Sequence, residues 1–137
     1  MKPKDLPIGY WIRKADETLT NGINKIQSDF GFTRTDWQIL NALKEGNGIS
    51  MTELLEIMNP FAEKSIAENI LSEFEKKNLV EKQSSKLKLT QKGLEIHQQC
   101  FERQKIFRNK SMEGISEQEY QTAYLTLKKL VKNIGAE

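Results

Sequence analysis

The sequence predicts a mainly α-helical fold with one small β-hairpin, in the element order of a winged helix-turn-helix flanked by N- and C-terminal helices. Three observations predict it. Apolar residues recur at helical spacing along most of the 137 residues. Start signals of the form Ser/Thr-x-x-acid stand before apolar runs at Thr33/Asp36, Ser50/Glu53 and Ser116/Glu119. One stretch, "LVEKQSSKLKLTQKG" at 79–93, alternates instead and turns tightly through polar residues.

Each element follows from local chemistry. Residues 9–30 form a helix with Trp11, Ile12, Ala15, Leu19, Ile23, Ile26 and Phe30 on a narrow stripe, closed by Gly31. "TRTDWQILNALKEG" starts the second helix at Thr33, buries Trp37, Leu40 and Leu43, and ends at Gly46 and Gly48. "ISMTELLEIM" gives a short third helix, broken by Asn59-Pro60. A fourth helix covers roughly 61–77, with Ile66, Ala67, Ile70, Leu71 and Phe74 inward. The hairpin strands, about 79–83 and 86–90, are too short to stand without support from helices. Residues 91–113 form a long helix with two partial apolar faces, Leu94/His97/Phe101 and Ile96/Cys100/Phe107, so it is expected between two packing partners. The last helix begins at Ser116 and carries Tyr120, Ala123, Tyr124, Leu127, Leu130, Val131 and Ile134 on one face. A short helix, a second helix and a two-stranded wing in succession are the order of a winged helix-turn-helix.

Composition bounds the rest. The length fits a single domain, 1–137, able to bury a core without disulfides or metal. With 29% charged residues, no apolar run long enough to span a bilayer, and no apolar leader in "MKPKDLPIGYW", the expectation is a cytoplasmic chain with no membrane partner. The one cysteine fits a reducing compartment. Net charge is only +2, but Lys82, Lys86, Lys88 and Lys92 fall in a stretch without acids.

These pieces resemble the MarR family of bacterial transcriptional regulators over about residues 9–134. The resemblance rests on "FTRTDWQILNAL", "ISMTELLEIM", "ILSEFEKKNLVEK", "LKLTQKGLEI" and "GISEQEYQTAYLTLKKL", in that order and spacing. "GYW" at 9–11, "DWQILN" at 36–41 and "NPF" at 59–61 are similar to a subgroup with a short wing. The resemblance implies a homodimer built by helices 9–30 and 91–134, with a DNA-binding part at 33–90. It also implies double-stranded DNA as partner and a small, often aromatic, effector. The family's wings usually carry an arginine at the tip, whereas the tip here is Gln83-Ser84-Ser85.

On that frame the outward side chains of helix 61–77 are Ser65, Glu68, Asn69, Ser72 and Lys76. Asn69 suits a bidentate bond to adenine, Ser65 and Ser72 a base or a phosphate, and Lys64 and Lys76 a phosphate. Glu68 can only accept, so beside DNA it needs a cytosine amino group. Even spacing places Lys82, Lys86 and Lys88 on one face of the hairpin, for phosphate contact that sets affinity and register. Tyr10, Trp11, Trp37 and Phe101 are the candidate walls of an effector pocket; core and interface packing is the plainer role for them.

Catalysis and metal chemistry find no motif. His97 is alone, no paired His/Cys spacing suits zinc, and no phosphate loop or nucleophile elbow occurs, so no enzyme, cofactor or metal is expected. Cys100 reads as a buried, inert thiol. Two function classes therefore stand: a dimeric, sequence-specific DNA-binding regulator, a repressor responsive to a small molecule; and a winged-helix protein-interaction module with little specific DNA binding. Glu68 and the arginine-free wing tip favour the second.

Overall fold

The computed structural model describes residues 5–135. Six helices and one hairpin follow in order: α1 (Ile8–Asp29), α2 (Arg34–Gly46), α3 (Met51–Met58), α4 (Lys64–Lys76), β1 (Val80–Gln83), β2 (Lys86–Leu89), α5 (Gln91–Ser111) and α6 (Glu117–Ile134). The mainly α, winged helix-turn-helix order expected from the sequence is the one observed. The described chain divides into two compact units at Gln104/Lys105.

The first unit holds the core. Ile39, Leu40 and Leu43 of α2, Leu54 and Met58 of α3, and Ala67, Leu71 and Phe74 of α4 are buried together with Leu79, Val80, Leu87 and Leu89 of the wing. Full capping boxes start α2 and α3: the Thr33 and Ser50 hydroxyls accept the Asp36 and Glu53 N–H groups, and those carboxylates accept the cap N–H groups in return. Phe32 packs edge-on against Phe74 at 6.1 Å, which seats the α1–α2 corner on α4.

Three expectations need correction. α4 begins at Lys64 rather than at 61, because the Phe61 and Ala62 N–H groups both bond the Met58 carbonyl in a turn that runs on past Pro60. Ile66, expected inward, is 45% exposed; the buried stripe is Ala67, Leu71 and Phe74, with Ile70 at its margin. In α5 the buried residues are Gly93, His97, Cys100 and Gln104, a single stripe running between the two apolar faces read from the sequence. Phe101 lies at its edge, 38% exposed.

The wing is joined to the helices by backbone. Beyond the β1–β2 ladder, Ile49 forms a bridge to Leu87 through two hydrogen bonds, so a third, one-residue strand backs the hairpin. At its base the Thr90 N–H bonds the Leu79 carbonyl at 2.9 Å, the Thr90 hydroxyl donates to the Asn78 carbonyl at 2.7 Å, and the same hydroxyl accepts the Gly93 N–H at 3.0 Å. The Lys92 ammonium donates to the Lys77 carbonyl at the end of α4.

In the second unit, α6 is capped by the Ser116/Glu119 box and closed by Gly135 in the left-handed region. No residue of α6 is buried, and Tyr120, Tyr124, Leu127, Leu130, Val131 and Ile134 are each at least 40% exposed.

Gly93 is where a single methyl group matters most, because a Cβ there would strike the Leu79 carbonyl oxygen, a backbone atom with no rotamer to change. Gly93→Ala is expected to lower unfolding stability by about 1–3 kcal/mol, the range of core overpacking. Gly9→Ala, with nothing within 4 Å of the added carbon, should leave stability unchanged or raise it. Urea titrations of the two variants check the contrast.

Candidate nucleic-acid interface

α4 presents Ser65, Asn69, Ser72 and Lys76 at i, i+4, i+7 and i+11, a stripe directly opposite Ala67 and Phe74. Glu68 falls to one side of that stripe with Glu75, and Lys64 lies on the same flank in the first turn. All are exposed. The stripe is almost neutral: its lysine, Lys76, has its ammonium 3.4 Å from Glu73. The helix N-terminus adds partial positive charge at Lys64 and Ser65. Asn69 also edges a shallow groove of about 170 Å³ with Gly31, Asp36 and Glu73, so one side of its amide faces the α1–α2 corner.

The hairpin pairs Val80 with Leu89, Glu81 with Lys88, Lys82 with Leu87 and Gln83 with Lys86. Directly paired residues of an antiparallel ladder share a face. Lys82 therefore lies on the Leu87 side, at the exposed rim of the core face. Lys86 and Lys88 share the other face with Glu81 and Gln83. The three lysines do not form one row, as their even numbering suggested: the two-residue turn changes parity, so even positions of β1 match odd positions of β2. Ser84 and Ser85 make that turn with φ of 51° and 66°, both in the left-handed region, as a type I′ turn demands. Lys88 is then the lysine set opposite an acid, Glu81, whose carboxylate also accepts from Gln83 at 2.9 Å.

Lys86 has a partner that the sequence did not reveal. Its ammonium is 3.7 Å from Glu53, the carboxylate that closes the capping box of α3. The Ser50 N–H and hydroxyl, and then Lys86, hold Glu53 below the usual carboxylate range. The wing therefore meets the N-terminal end of α3 through this pair and the segment just before it through the Ile49–Leu87 bridge.

The four aromatic residues expected around an effector separate into two pairs. Tyr10 and Trp11 meet edge to face at 5.0 Å on the first turns of α1. Trp37 and Phe101 stand on either side of His97, stacked at 4.8 Å and 6.0 Å. The structure brings His97 into that position and hydrogen-bonds its Nε2 to the Asn41 Oδ1 at 2.9 Å, while Nδ1 has no protein partner. Burial, and then Lys44, lower the His97 pKa. Cys100 is fully buried; burial pushes its thiol pKa up, and the Gln104 amide donates to its sulfur. Among the described residues no group of three or more His, Cys, Asp or Glu could hold a metal, and no helix is long and apolar enough to cross a membrane.

A short helix, a second helix with a polar stripe turned outward, and a two-stranded wing define a winged helix-turn-helix fold. Comparison with solved structures narrows the fold to that of the MarR family. A protein of unknown function from Listeria innocua matches with a TM-score of 0.75 and 16% identity, over 92% of this chain and 91% of that one. The MarR family protein Rv2887 from Mycobacterium tuberculosis, solved in complex with DNA, matches with a TM-score of 0.68 and 18% identity over 92% and 98% of the two chains. A point mutant of MepR from S. aureus, solved bound to an oligodeoxyribonucleotide, matches with a TM-score of 0.70 and 14% identity over 95% and 99%. No family model matches the sequence, and no curated protein matches it.

The His97 environment makes a pH prediction. A histidine whose folded pKa is depressed takes up a proton first in the unfolded chain, near pH 6.5. Its neutral-state stability is therefore fully present above that pH and lost as pH falls toward the lower folded value. Stability measured by urea unfolding should decline as pH falls below about 6.5, the unfolded value, and His97→Gln, which cannot titrate, should flatten this part of the profile. Decline from Glu53 and Glu119, both held low by capping hydrogen bonds, should persist in the variant at more acidic pH.

Proposed function

We propose that the chain is a cytoplasmic, homodimeric transcriptional regulator that binds specific double-stranded DNA, acting as a repressor released by a small aromatic effector. The carrying observation is the α4 stripe Ser65, Asn69, Ser72 and Lys76, exposed beside a lysine-bearing wing in a fold that other proteins use on DNA. Asn69 reads a base, Ser65 and, two turns on, Ser72 bind a base or a phosphate, Lys64 binds a phosphate at the helix entry, and Lys76, Lys82, Lys86 and Lys88 set affinity and register. Glu68, on the flank of the stripe, rejects DNA lacking a cytosine amino group at its position. Trp37 and Phe101 around His97 form the aromatic surface for an effector, with Tyr10 and Trp11 as a second aromatic pair on α1.

Dimerisation is supported by the exposed faces of α1 and α6. An 18-residue helix with an apolar stripe gains its stability from burying that stripe, and the described chain leaves it open. The second reading, a protein-interaction module, draws on Glu68 and Glu75 beside an almost uncharged stripe.

Titration of DNA from the protein's own locus at two salt concentrations separates the two readings. The regulator should bind one fragment specifically, with affinity falling steeply as salt rises. Absence of specific binding by the folded dimer at low salt favours the interaction module. Asn69→Ala should relax preference at one or two base positions, and Lys88→Ala should weaken binding to all sequences alike. Dimerisation has its own check: light scattering should give twice the chain mass, and Leu127→Glu with Val131→Glu should give the monomer.

A further inference from the structure

Ile66 is the position where α4 departs from an ordinary amphipathic helix. It is 45% exposed, while Ala67, Leu71 and Phe74 are at most 2% exposed. At 100° per residue it lies about 60° round the helix from Asn69, three residues on, on the flank opposite Glu68. An α-helix about 10–12 Å across, set in a major groove about 12 Å wide, turns about half its circumference toward the bases, and Ile66 falls within that half. The stripe beside it is polar and nearly neutral, so the groove is not read by charge alone. A branched hydrocarbon side chain can accept or donate no hydrogen bond. The apolar group that a base pair offers in the major groove is the 5-methyl of thymine.

Resting on the DNA reading above, we propose that Ile66 is a specificity-determining residue of the recognition helix, packing on the 5-methyl group of a thymine beside the base that Asn69 reads. An adenine read by Asn69 and a neighbouring thymine held by Ile66 make a short A·T-containing element in each half-site. Glu68, on the other flank, points to a cytosine on the opposite side of that element.

The test selects a binding site from a random duplex pool with the full-length protein, then replaces each thymine in turn by deoxyuridine, which removes only the methyl group. Wild-type protein should bind about fourfold more weakly at one uracil position per half-site, the loss expected for unburying one methyl group. Ile66→Ala should bind thymine and uracil duplexes equally at that position and keep the sensitivity of every other position, whereas Ile66→Val should retain part of the preference. Equal binding of wild type to every uracil duplex overturns the proposal while leaving specific DNA binding intact. A pool that yields no selected site overturns the DNA reading, and this inference falls with it.

Discussion

The placement of the wing beside α4 depends on how the chain closes around the Leu79 carbonyl. That oxygen accepts the Thr90 N–H, and the bare Cα of Gly93 lies against it closely enough to exclude any side chain. The residue before it, Asn78, takes the left-handed conformation at φ 61° and ends α4, with the Leu79 N–H bonded back to the Phe74 carbonyl. The exit of α4, both ends of the hairpin and the entry of α5 thus meet within one hydrogen-bonded knot. With Leu79 and Leu89 buried beneath it, the wing cannot tilt relative to α4 without breaking backbone bonds in a region closed to water. On the DNA reading proposed above, a fixed spacing between α4 and the wing is what a site of fixed groove geometry requires.

Electrostatics at the same surface is graded rather than uniformly positive. Lys86 is shared with Glu53, Lys76 with Glu73, and Lys88 stands opposite Glu81. Exposed pairs of this kind contribute little to stability. Their effect lies in what a phosphate must displace. On the DNA reading proposed above, a lysine already near a carboxylate would gain less from a phosphate than a free one, which would hold down non-specific affinity and raise the share carried by base contacts. The low net charge of +2 has the same sense.

Much of this was legible in the sequence, and the failures have a common physical origin. The starts of α2, α3 and α6 were legible because capping boxes are local chemistry: the hydroxyl and the carboxylate sit three residues apart whatever the tertiary fold. The position of the wing was legible because the alternation of Leu87 and Leu89 with Lys86 and Lys88 survives in four residues. What depended on partners distant in sequence was not. The face occupied by Lys82 follows from turn length rather than spacing within a strand, and the Ile49 bridge joins residues 38 positions apart. Ile66 looked inward because hydropathy cannot tell an apolar residue covered by the core from one left open beside it. In α5 His97 and Cys100 were assigned to two different apolar faces, because Gly93 and Gln104, which join them into one buried stripe, are small or polar and leave no hydropathy signal. The nine candidate DNA-contact positions are all exposed, whereas the four aromatic residues of the expected effector pocket divide into two pairs.

That polar stripe explains why α5 has one seat in the first unit. His97 reaches α2 through the Asn41 amide and the Trp37 ring, and two turns on Gln104 reaches Gln27 of α1 at 3.4 Å. Just outside, Arg103 bonds Asp29 at 2.8 Å and lies over the Phe30 ring. An all-apolar stripe would bind as strongly in several registers, because dispersion and burial are nearly indifferent to a shift along the helix. Buried amides and an imidazole are not indifferent, for a slip of one turn would leave His97 and Gln104 without partners in a dry interior at a cost of about 1–3 kcal/mol each. Two such contacts, to two different helices, leave one alignment of α5 against α1 and α2. Since α5 also begins at the Leu79 knot, the same alignment fixes the base of the wing.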